Sequence, residues 1–172
     1  MVTRDSILSC DWGTSSFRLK LVTRAGHEVV GALSSGEGIA VTHDRWKNEA
    51  GLLGITREEF YLKQLQKNID VLSKKLVTPL VGIPVLMSGM TSSSIGIREL
   101  PYAPLPFSMD GSNAIVKELP AGKDFPHAVW MISGVSSHKD IMRGEETQLV
   151  GLASLDNKMF PNEGAVCIFP GT

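Results

Sequence analysis

Two strand-like runs joined by a short turn open the sequence and constrain its fold more than any other feature. Residues 7–10 are apolar, residues 13–16 combine a glycine with hydroxyl side chains, and residues 17–21 alternate apolar with charged side chains. Alternation with a period of two is typical of a strand that buries one face. Residues 28–33 supply a further strand after a turn at 25–26. The sequence therefore predicts a three-stranded antiparallel meander.

Helices and strands alternate after the meander. Thr56 and Glu59 have the spacing of a capping box, and apolar residues spaced by three and four continue to Leu76, which predicts a long helix. Residues 34–55 are rich in glycine, and we expect a long irregular loop there. The remaining predicted elements are strands at 83–87, 128–132 and 165–169, a short helix at 111–118, a polar connection at 134–143, and a helix at 145–155 with Leu149, Leu152, Ala153 and Leu155 on its buried side. This order predicts an α/β fold with a mixed sheet and flanking helices.

The composition indicates one globular domain. Of the 172 residues, 42% are hydrophobic, and the formal net charge is -1 without a long block of lysine or arginine. We therefore expect neither nucleic acid nor a membrane as a partner. The chain has no apolar leader and no run of about 18 apolar residues, so we expect a cytoplasmic protein. Cys10 and Cys167 lie in apolar runs typical of buried free thiols, and we expect the four histidines, at 27, 43, 127 and 138, to be solvated.

The turn of the first hairpin carries the first candidate site. Asp11 ends a predicted buried strand, and Gly13, Thr14 and Ser15 follow it. A glycine lets backbone N–H groups approach phosphate oxygens, and the hydroxyl groups add donors. The Asp11 carboxylate would hold Mg²⁺ through its waters, because Mg²⁺ gives up water ligands reluctantly. The pattern fits either a nucleotide site or a hairpin with a serine-rich turn.

Residues 142–148 carry the second candidate site, at the start of a predicted amphipathic helix. Arg143 is a bidentate anion binder, and Glu145 and Glu146 are candidate proton acceptors. The first N–H groups of the helix would add donors nearby. The alternative is structural, because acids in a first helical turn offset the helix dipole and Arg143 is then simply solvated.

A third candidate is the serine-rich segment 89–94. It follows the end of a predicted strand, where α/β domains usually place ligands. The hydroxyl groups of Ser92 and Ser93, close to Gly89, suit a polar ligand. The alternative is a well-capped short helix.

Five segments resemble the 2-dehydro-3-deoxygalactonokinase family in order and approximate spacing. They are DWGT at 11–14, MSGM at 87–90, PY at 101–102, MRGEETQL at 142–149 and PGT at 170–172. The resemblance spans the whole chain. The run from Arg143 to Leu149 is its most specific part, whereas the first turn is shared by actin-like kinases generally.

The resemblance implies an actin-like ATPase (ribonuclease H-like) domain and a reaction. The reaction is the phosphorylation by ATP, assisted by Mg²⁺, of a small sugar acid, 2-dehydro-3-deoxy-D-galactonate, on its 6-hydroxyl in galactonate catabolism. Family members have two similar lobes around a cleft. Residues 1–160 would form the N-terminal lobe and residues 161–172 the start of the second lobe, so the chain alone would be inactive or nearly so.

The same resemblance implies roles for individual residues. Asp11 would organise Mg²⁺, and the proton acceptor would be Glu146 or Glu145. Arg18 would either approach the phosphates or remain a surface residue of its strand. The residues implied to bind the nucleotide are Asp11, Gly13, Thr14, Ser15, Arg18, Gly171 and Thr172, and those implied to bind the sugar acid are Arg143, Gly89, Ser92 and Ser93.

Two other functions are compatible with the sequence. One is a different actin-like sugar or acid kinase, for which other polar residues would be expected at 143–148. The other is a non-catalytic ligand-binding or regulatory domain. In a lone lobe, the face that packs on the second lobe would be exposed and apolar, so we expect homo-oligomers.

Overall fold

The computed structural model describes residues 5–155 and 166–169 of the chain. The strands, in chain order, are β1 (Ser6–Trp12), β2 (Phe17–Thr23), β3 (Val29–Ser35), β4 (Val85–Gly89), β5 (Ala103–Pro104), β6 (Val116–Leu119), β7 (Val129–Ile132), β8 (Val135–Ser136) and β9 (Ile141–Met142). The α-helices are α1 (Ile39–Arg45), α2 (Arg57–Leu76) and α3 (Glu145–Leu155). A π-helical turn spans Trp46–Ala50, and 3₁₀ turns span Gly51–Leu53 and Met90–Ser92.

Six strands form one mixed sheet in the order β3-β2-β1-β4-β7-β6, and β5, β8 and β9 form a small second sheet. The antiparallel meander of β1, β2 and β3 confirms the prediction. Strand β4 lies parallel to β1, and β7 lies parallel to β4. The predicted α/β fold with a mixed sheet is therefore confirmed. Because β1 and β4 are parallel and end together, Trp12 and Gly89 are neighbours at one edge of the sheet.

The long predicted helix is α2, which contributes its apolar side to the core. Thr56 and Glu59 form the predicted capping box: Thr56 Oγ1 accepts from the Glu59 N–H at 3.3 Å, and Glu59 Oε2 accepts from the Thr56 N–H at 2.9 Å. The Thr56 hydroxyl also donates to Glu59 Oε2 at 2.7 Å, and this bond, together with the one from the Thr56 N–H, holds the pKa of Glu59 below its ordinary value. The buried residues of α2 are Phe60, Tyr61, Leu65, Ile69 and Leu72. They form one core with alternate residues of β1, so Asp11 lies on the opposite face of that strand.

The prediction of an irregular loop at 34–55 is wrong, because α1 and two shorter helical turns occupy most of it. The first two N–H groups of α1 donate to the carbonyls of Gly13 and Thr14, at 2.9 and 3.1 Å. Gly38 permits this contact, since a Cβ there would lie 2.2 Å from the Thr14 carbonyl oxygen. Trp46 closes the far end of the segment by donating its indole N–H to the Ile55 carbonyl at 2.9 Å. Contacts with distant residues therefore specify this helix.

The predicted helix at 111–118 is also wrong. Strand β6 occupies its second half and pairs antiparallel with β7, while backbone bonds of Gly111 and Ala114 form turns in its first half. The predicted polar connection at 134–143 contains a small hairpin of β8 and β9. Residues 166–169 form no regular secondary structure, in contrast to the strand predicted at 165–169. Gly171 and Thr172 lie outside the described residues.

Burial confirms some of the remaining predictions and corrects others. His27 and His138 are exposed as predicted, but His43 is half-buried in α1. His127 is fully buried, with Nδ1 2.8 Å from the Ile83 carbonyl oxygen, and burial lowers its pKa. The expectation that this histidine is solvated is therefore wrong, because the sequence does not reveal that it precedes a central strand inside the core.

Two further predictions concern the thiols and α3. Cys10 is buried and free, as predicted, and burial raises its pKa; Cys167 is free but only half-buried. Leu155 is 75% exposed and Leu149, Leu152 and Ala153 are only half-buried, so none of the four residues predicted for the buried side of α3 is fully buried. The buried residue of α3 is Glu146.

Among the described residues, no helix has the length and apolar character needed to cross a membrane.

Candidate functional site

A cleft of about 530 Å³ lies between the first hairpin turn and the segment that joins β9 to α3. Several predicted site residues line it together: Asp11, Gly13, Thr14, Arg18, Gly89, Arg143 and Glu145. Two sequence motifs that lie far apart in the chain, at 11–14 and 142–149, therefore meet at one place. Tyr102 and Gln148 also line this cleft.

The hairpin turn carries backbone donors at the cleft, on Thr14, and just outside its lining, on Ser15. The Gly13 N–H donates to the Ser16 carbonyl at 2.9 Å, which closes the turn. The N–H groups of Thr14 and Ser15 donate to no acceptor within the described ranges. Because α1 holds the carbonyls on the other side of the turn, these two N–H groups are fixed and available to an anion. Ser15 itself is exposed but outside the cleft lining.

Asp11 and Arg18 face each other across the β1–β2 hairpin and form an ion pair. Arg18 Nη1 donates to Asp11 Oδ2 at 2.8 Å, and the two residues are register partners in the ladder. Their side chains are 44% and 34% exposed, for Arg18 and Asp11 respectively. Asp11 therefore offers a carboxylate to the cleft with one oxygen already engaged by a cation.

Two glycines bring the second motif against the first. Gly89 ends β4 with φ of +82°, and a Cβ there would lie 2.8 Å from the Trp12 carbonyl oxygen. Gly144 has φ of +110°, and its own Cβ position is 3.4 Å from the Gly89 Cα. Both backbones can approach this closely because neither residue has a side chain. The contact sets Arg143 and Glu145 beside the end of β4.

Arg143 is held by side chains from two other parts of the chain. Its guanidinium carbon lies 4.4 Å from the centroid of the Tyr102 ring, and Nη1 donates to Ser92 Oγ at 3.1 Å. The Ser92 hydroxyl donates in turn to the Ile132 carbonyl at 2.9 Å. Ser92 and Ser93 are buried and do not line the cleft, and Ser93 Oγ donates to the Met90 carbonyl at 2.7 Å.

The two glutamates at the start of α3 occupy different environments. Glu145 lines the cleft and accepts from the Arg143 N–H at 3.0 Å. Glu146 is buried, where its Oε2 accepts from the Gly144 N–H at 2.7 Å and its Oε1 accepts from the Thr147 hydroxyl at 3.2 Å. Burial raises the pKa of Glu146. Only Glu145 of this pair is therefore open to a ligand in the cleft.

Sequence reasoning gave too little weight to two residues that line the cleft. Tyr102 lies just before β5, within a proline-rich segment that offered no periodic pattern, although the Pro-Tyr pair belonged to the family resemblance. Gln148 follows Gly144 by one helical turn, and that spacing could have placed it on the same side of α3 as the cleft. Among the described residues, no group of three or more His, Cys, Asp or Glu side chains could hold a metal ion.

Comparison with known proteins gives one consistent family. The sequence profile described as 2-keto-3-deoxy-galactonokinase matches residues 11–172. A protein of Rhizobium meliloti (strain 1021), named as a 2-dehydro-3-deoxygalactonokinase, is 27% identical over 160 residues, which are 90% of this chain and 44% of that protein. The 2-dehydro-3-deoxygalactonokinase of Escherichia coli (strain K12) is 34% identical over 93 residues, which are 52% of this chain and 28% of that protein.

A solved structure supports the fold. The crystal structure of a protein named as a 2-dehydro-3-deoxygalactonokinase from Sinorhizobium meliloti matches with a TM-score of 0.58 and 24% sequence identity. The match covers 87% of this chain and 42% of that one. The chain therefore shares the fold of one part of that protein, and it spans less than half the length of each of these relatives.

Proposed function

Because this chain belongs to the 2-keto-3-deoxy-galactonokinase family, we propose that it is the N-terminal lobe of a sugar-acid kinase. The reaction is the transfer of the γ-phosphoryl group of ATP to the 6-hydroxyl of 2-dehydro-3-deoxy-D-galactonate, a step in galactonate catabolism. The observation that carries the proposal is the meeting of the Asp11 turn with Arg143 and Glu145 in one cleft. Phosphoryl transfer needs this kind of site, in which fixed donors and charges position the reactants.

The nucleotide end of the cleft is the hairpin turn. The N–H groups of Thr14, which lines the cleft, and of Ser15 beside it donate to no described acceptor and suit phosphate oxygens, and Gly13 lets those oxygens come close to the backbone. The Asp11 carboxylate is a hard oxygen donor with one third of its surface exposed, which fits a hydrated Mg²⁺. When bound, Mg²⁺ would neutralise charge on the phosphate oxygens. Arg18 would leave Asp11 and pair with a phosphate oxygen.

The acceptor end of the cleft is the start of α3. Arg143 would pair with the carboxylate of the sugar acid, because its guanidinium forms no ion pair with any described residue. Glu145 would take the proton of the 6-hydroxyl as that oxygen bonds to the γ-phosphorus and the bond to ADP breaks. Glu146 would keep the Gly144 backbone in place by accepting its N–H.

The sheet order supports an actin-like lobe. An antiparallel meander followed by the parallel strands β4 and β7 is the arrangement expected for that fold. In this proposal residues 1–160 form the first lobe and residues 161–172 begin the second, where Gly171 and Thr172 would contribute to the phosphate clamp. The second lobe would supply the adenosine site.

Self-association of the 172-residue chain is part of the proposal. Exposed apolar side chains occur at Leu52 and Leu53, which are 79% and 80% exposed, and at Leu155 in α3. Apolar surface of this kind favours contact with a second copy when no other lobe covers it. Light scattering over a wide concentration range would reveal dimers or larger species, and a monomer throughout would contradict this part of the proposal.

The experiment that tests the reaction is a coupled ADP-release assay on the full-length protein. The acceptors are 2-dehydro-3-deoxygalactonate, its gluconate epimer and glycerol. Turnover on the galactonate compound that depends on Mg²⁺ and is lost in Glu145→Gln would support the proposal. Turnover on another acceptor would indicate a different actin-like kinase, and nucleotide binding without turnover would indicate a regulatory domain.

A further inference from the structure

We propose that Tyr102 and Ser92 are positioning residues that aim Arg143 at the carboxylate of the substrate, and so make the enzyme select an acid over a neutral sugar. This inference rests on the proposed function, because the acid is the substrate class proposed above. Tyr102 lines the cleft beside Arg143, whereas Ser92 lies behind it. Neither residue takes part in the proposed proton transfer, and Ser92, implied by the resemblance to bind the sugar acid, would act through Arg143 instead.

The Tyr102 ring holds one side of the guanidinium. Its centroid lies 4.4 Å from the guanidinium carbon, which is within the range of a cation–π contact. This contact uses none of the N–H donors of Arg143, so they can still pair with a carboxylate. A long arginine side chain loses much rotamer freedom when it binds a ligand, so a side chain that is already held binds more tightly.

Ser92 fixes the end of the same side chain. Its hydroxyl hydrogen is directed to the Ile132 carbonyl, so the oxygen is available only as an acceptor, and Arg143 Nη1 donates to it. Ser92 is fully buried, and it occupies one donor of Arg143 on the side away from the cleft. The other guanidinium N–H groups of Arg143, which lines the cleft, donate to no described residue.

The small second sheet provides the frame for this pair. Tyr102 precedes β5, and Arg143 follows β9, while β8 lies between these two strands. Gly134 lies just before β8. A Cβ at this residue would lie 3.0 Å from the Tyr102 ring and 3.1 Å from the Arg143 Cβ, so a side chain there would crowd both. The sheet and this glycine bring the ring and the guanidinium together.

The charge of the site explains its selectivity. Within the part of the chain that the structure describes, Arg143 pairs with no carboxylate, in contrast to Arg18, the other arginine that lines the cleft. A carboxylate in the cleft would complete a charge-assisted pair, and a neutral sugar would leave the cation without a partner.

The test compares the sugar acid with the neutral ketose in which –CH₂OH replaces the carboxylate. We expect Tyr102→Leu to raise KM for the acid about tenfold, with KM for ATP unchanged and the acid-to-neutral ratio of kcat/KM about tenfold lower. Tyr102→Phe keeps the aromatic ring, so its KM for the acid and its acid-to-neutral ratio should stay close to those of the wild type. Ser92→Ala should shift the ratio in the same direction. Arg98→Leu, which removes an arginine outside the cleft, is the matched control.

A double variant separates positioning from a general structural role. Arg143→Leu should abolish the preference for the acid, and adding Tyr102→Leu should then change nothing further. Additive losses, or equal effects on the acid, the neutral ketose and ATP, would overturn the inference. If the wild-type protein turns over neither acceptor, the proposed function fails, and calorimetric titration with the sugar acid decides the inference. Binding that weakens about tenfold in Tyr102→Leu would support it, and absence of binding would overturn it.

Discussion

The guanidinium of Arg18 lies 2.8 Å from the carboxylate of Asp11, directly across the ladder of the first hairpin. We propose that the Asp11 carboxylate holds Mg²⁺. In this structure the Arg18 guanidinium already occupies one oxygen of that carboxylate. The pair is largely open to water, and pairs of this kind contribute less than about 1 kcal/mol to stability. The geometry of the pair therefore matters for binding more than for folding.

Asp11→Asn should separate function from stability. We expect kcat to fall by about two orders of magnitude or more, because an amide is a poorer partner for Mg²⁺ and for developing charge. The free energy of unfolding should change by less than about 1 kcal/mol. The measurements are ADP release at saturating Mg²⁺ and urea unfolding. The matched control is Glu58→Gln, which breaks the Arg98–Glu58 pair of nearly equal exposure, 43% and 34%, outside the cleft. A large loss of activity in that control would contradict the assignment.

The neighbouring glutamates should respond oppositely to substitution. Glu145→Gln should lower kcat by about 10²-fold or more while leaving stability nearly unchanged, because its carboxylate faces the cleft. Glu146→Ala should instead reduce the free energy of unfolding by about 1–3 kcal/mol, because the buried Gly144 N–H loses its acceptor. Kinetics and chemical denaturation of both variants test this. If Glu146→Ala proved as stable as the wild type but inactive, the two roles would be reversed.

The buried glutamate should also leave a pH signature. Burial raises the folded-state pKa of Glu146, so between about 4.5 and that value the folded protein binds more protons than the unfolded chain. The contribution of this residue to stability therefore falls as pH rises through that window. We expect the stability of Glu146→Gln relative to wild type to improve as pH increases above 4.5. Denaturation at several pH values measures the difference, and a constant difference would rule out the shift.

Gly89 should tolerate no side chain. A Cβ at this residue would lie 2.8 Å from the Trp12 carbonyl, and its φ is +82°. We expect Gly89→Ala to destabilise the fold by about 1–3 kcal/mol and to displace the Gly144 segment, with a large loss of activity. Gly122→Ala is the control, since no atom lies within 4 Å of its Cβ position. The measurements are thermal unfolding and ADP release. If the two variants had the same unfolding temperature and the same rate of ADP release, the close contact would be unimportant.

His127 should make stability fall on acidification. Burial lowers its folded-state pKa, so below the ordinary value of 6.5 the unfolded chain binds a proton that the folded protein does not. The stability that neutral His127 provides is therefore lost as pH decreases from about 6.5. We expect His127→Asn to show a shallower loss than the wild type between pH 7 and pH 5. Parallel slopes for the two proteins would mean that other groups dominate this range.

The sequence predicted those elements whose signal is local. Alternation in the first hairpin and the capping box at Thr56 each depend on neighbouring residues, and both are present in the structure. Helix α1 depends on Gly38 meeting the hairpin turn, and β6 depends on pairing with β7, so neither had a local pattern to reveal it. Long-range contacts of this kind override local propensity.

The candidate site shows the same division. The motifs at 11–14 and 142–149 could be found from residue chemistry and family resemblance, and the structure brings them together. The difference between Glu145 and Glu146 could not be predicted, because it depends on how α3 is rotated against the Gly144 turn. The contact of Arg143 with Tyr102 could not be predicted either, since it joins residues from opposite ends of a small sheet.

The backbone hydrogen bonds between the hairpin turn and α1 make these two segments move together. Trp12, next to Asp11, donates its indole N–H to the Glu37 carbonyl at 2.9 Å, and so ties the end of β1 to the residue before the helix N-cap. A ligand that shifts the turn would therefore shift α1 and alter the surroundings of two indole rings, those of Trp12 and Trp46. Such a ligand would thus change the tryptophan fluorescence of the chain, without a label and before any chemical step.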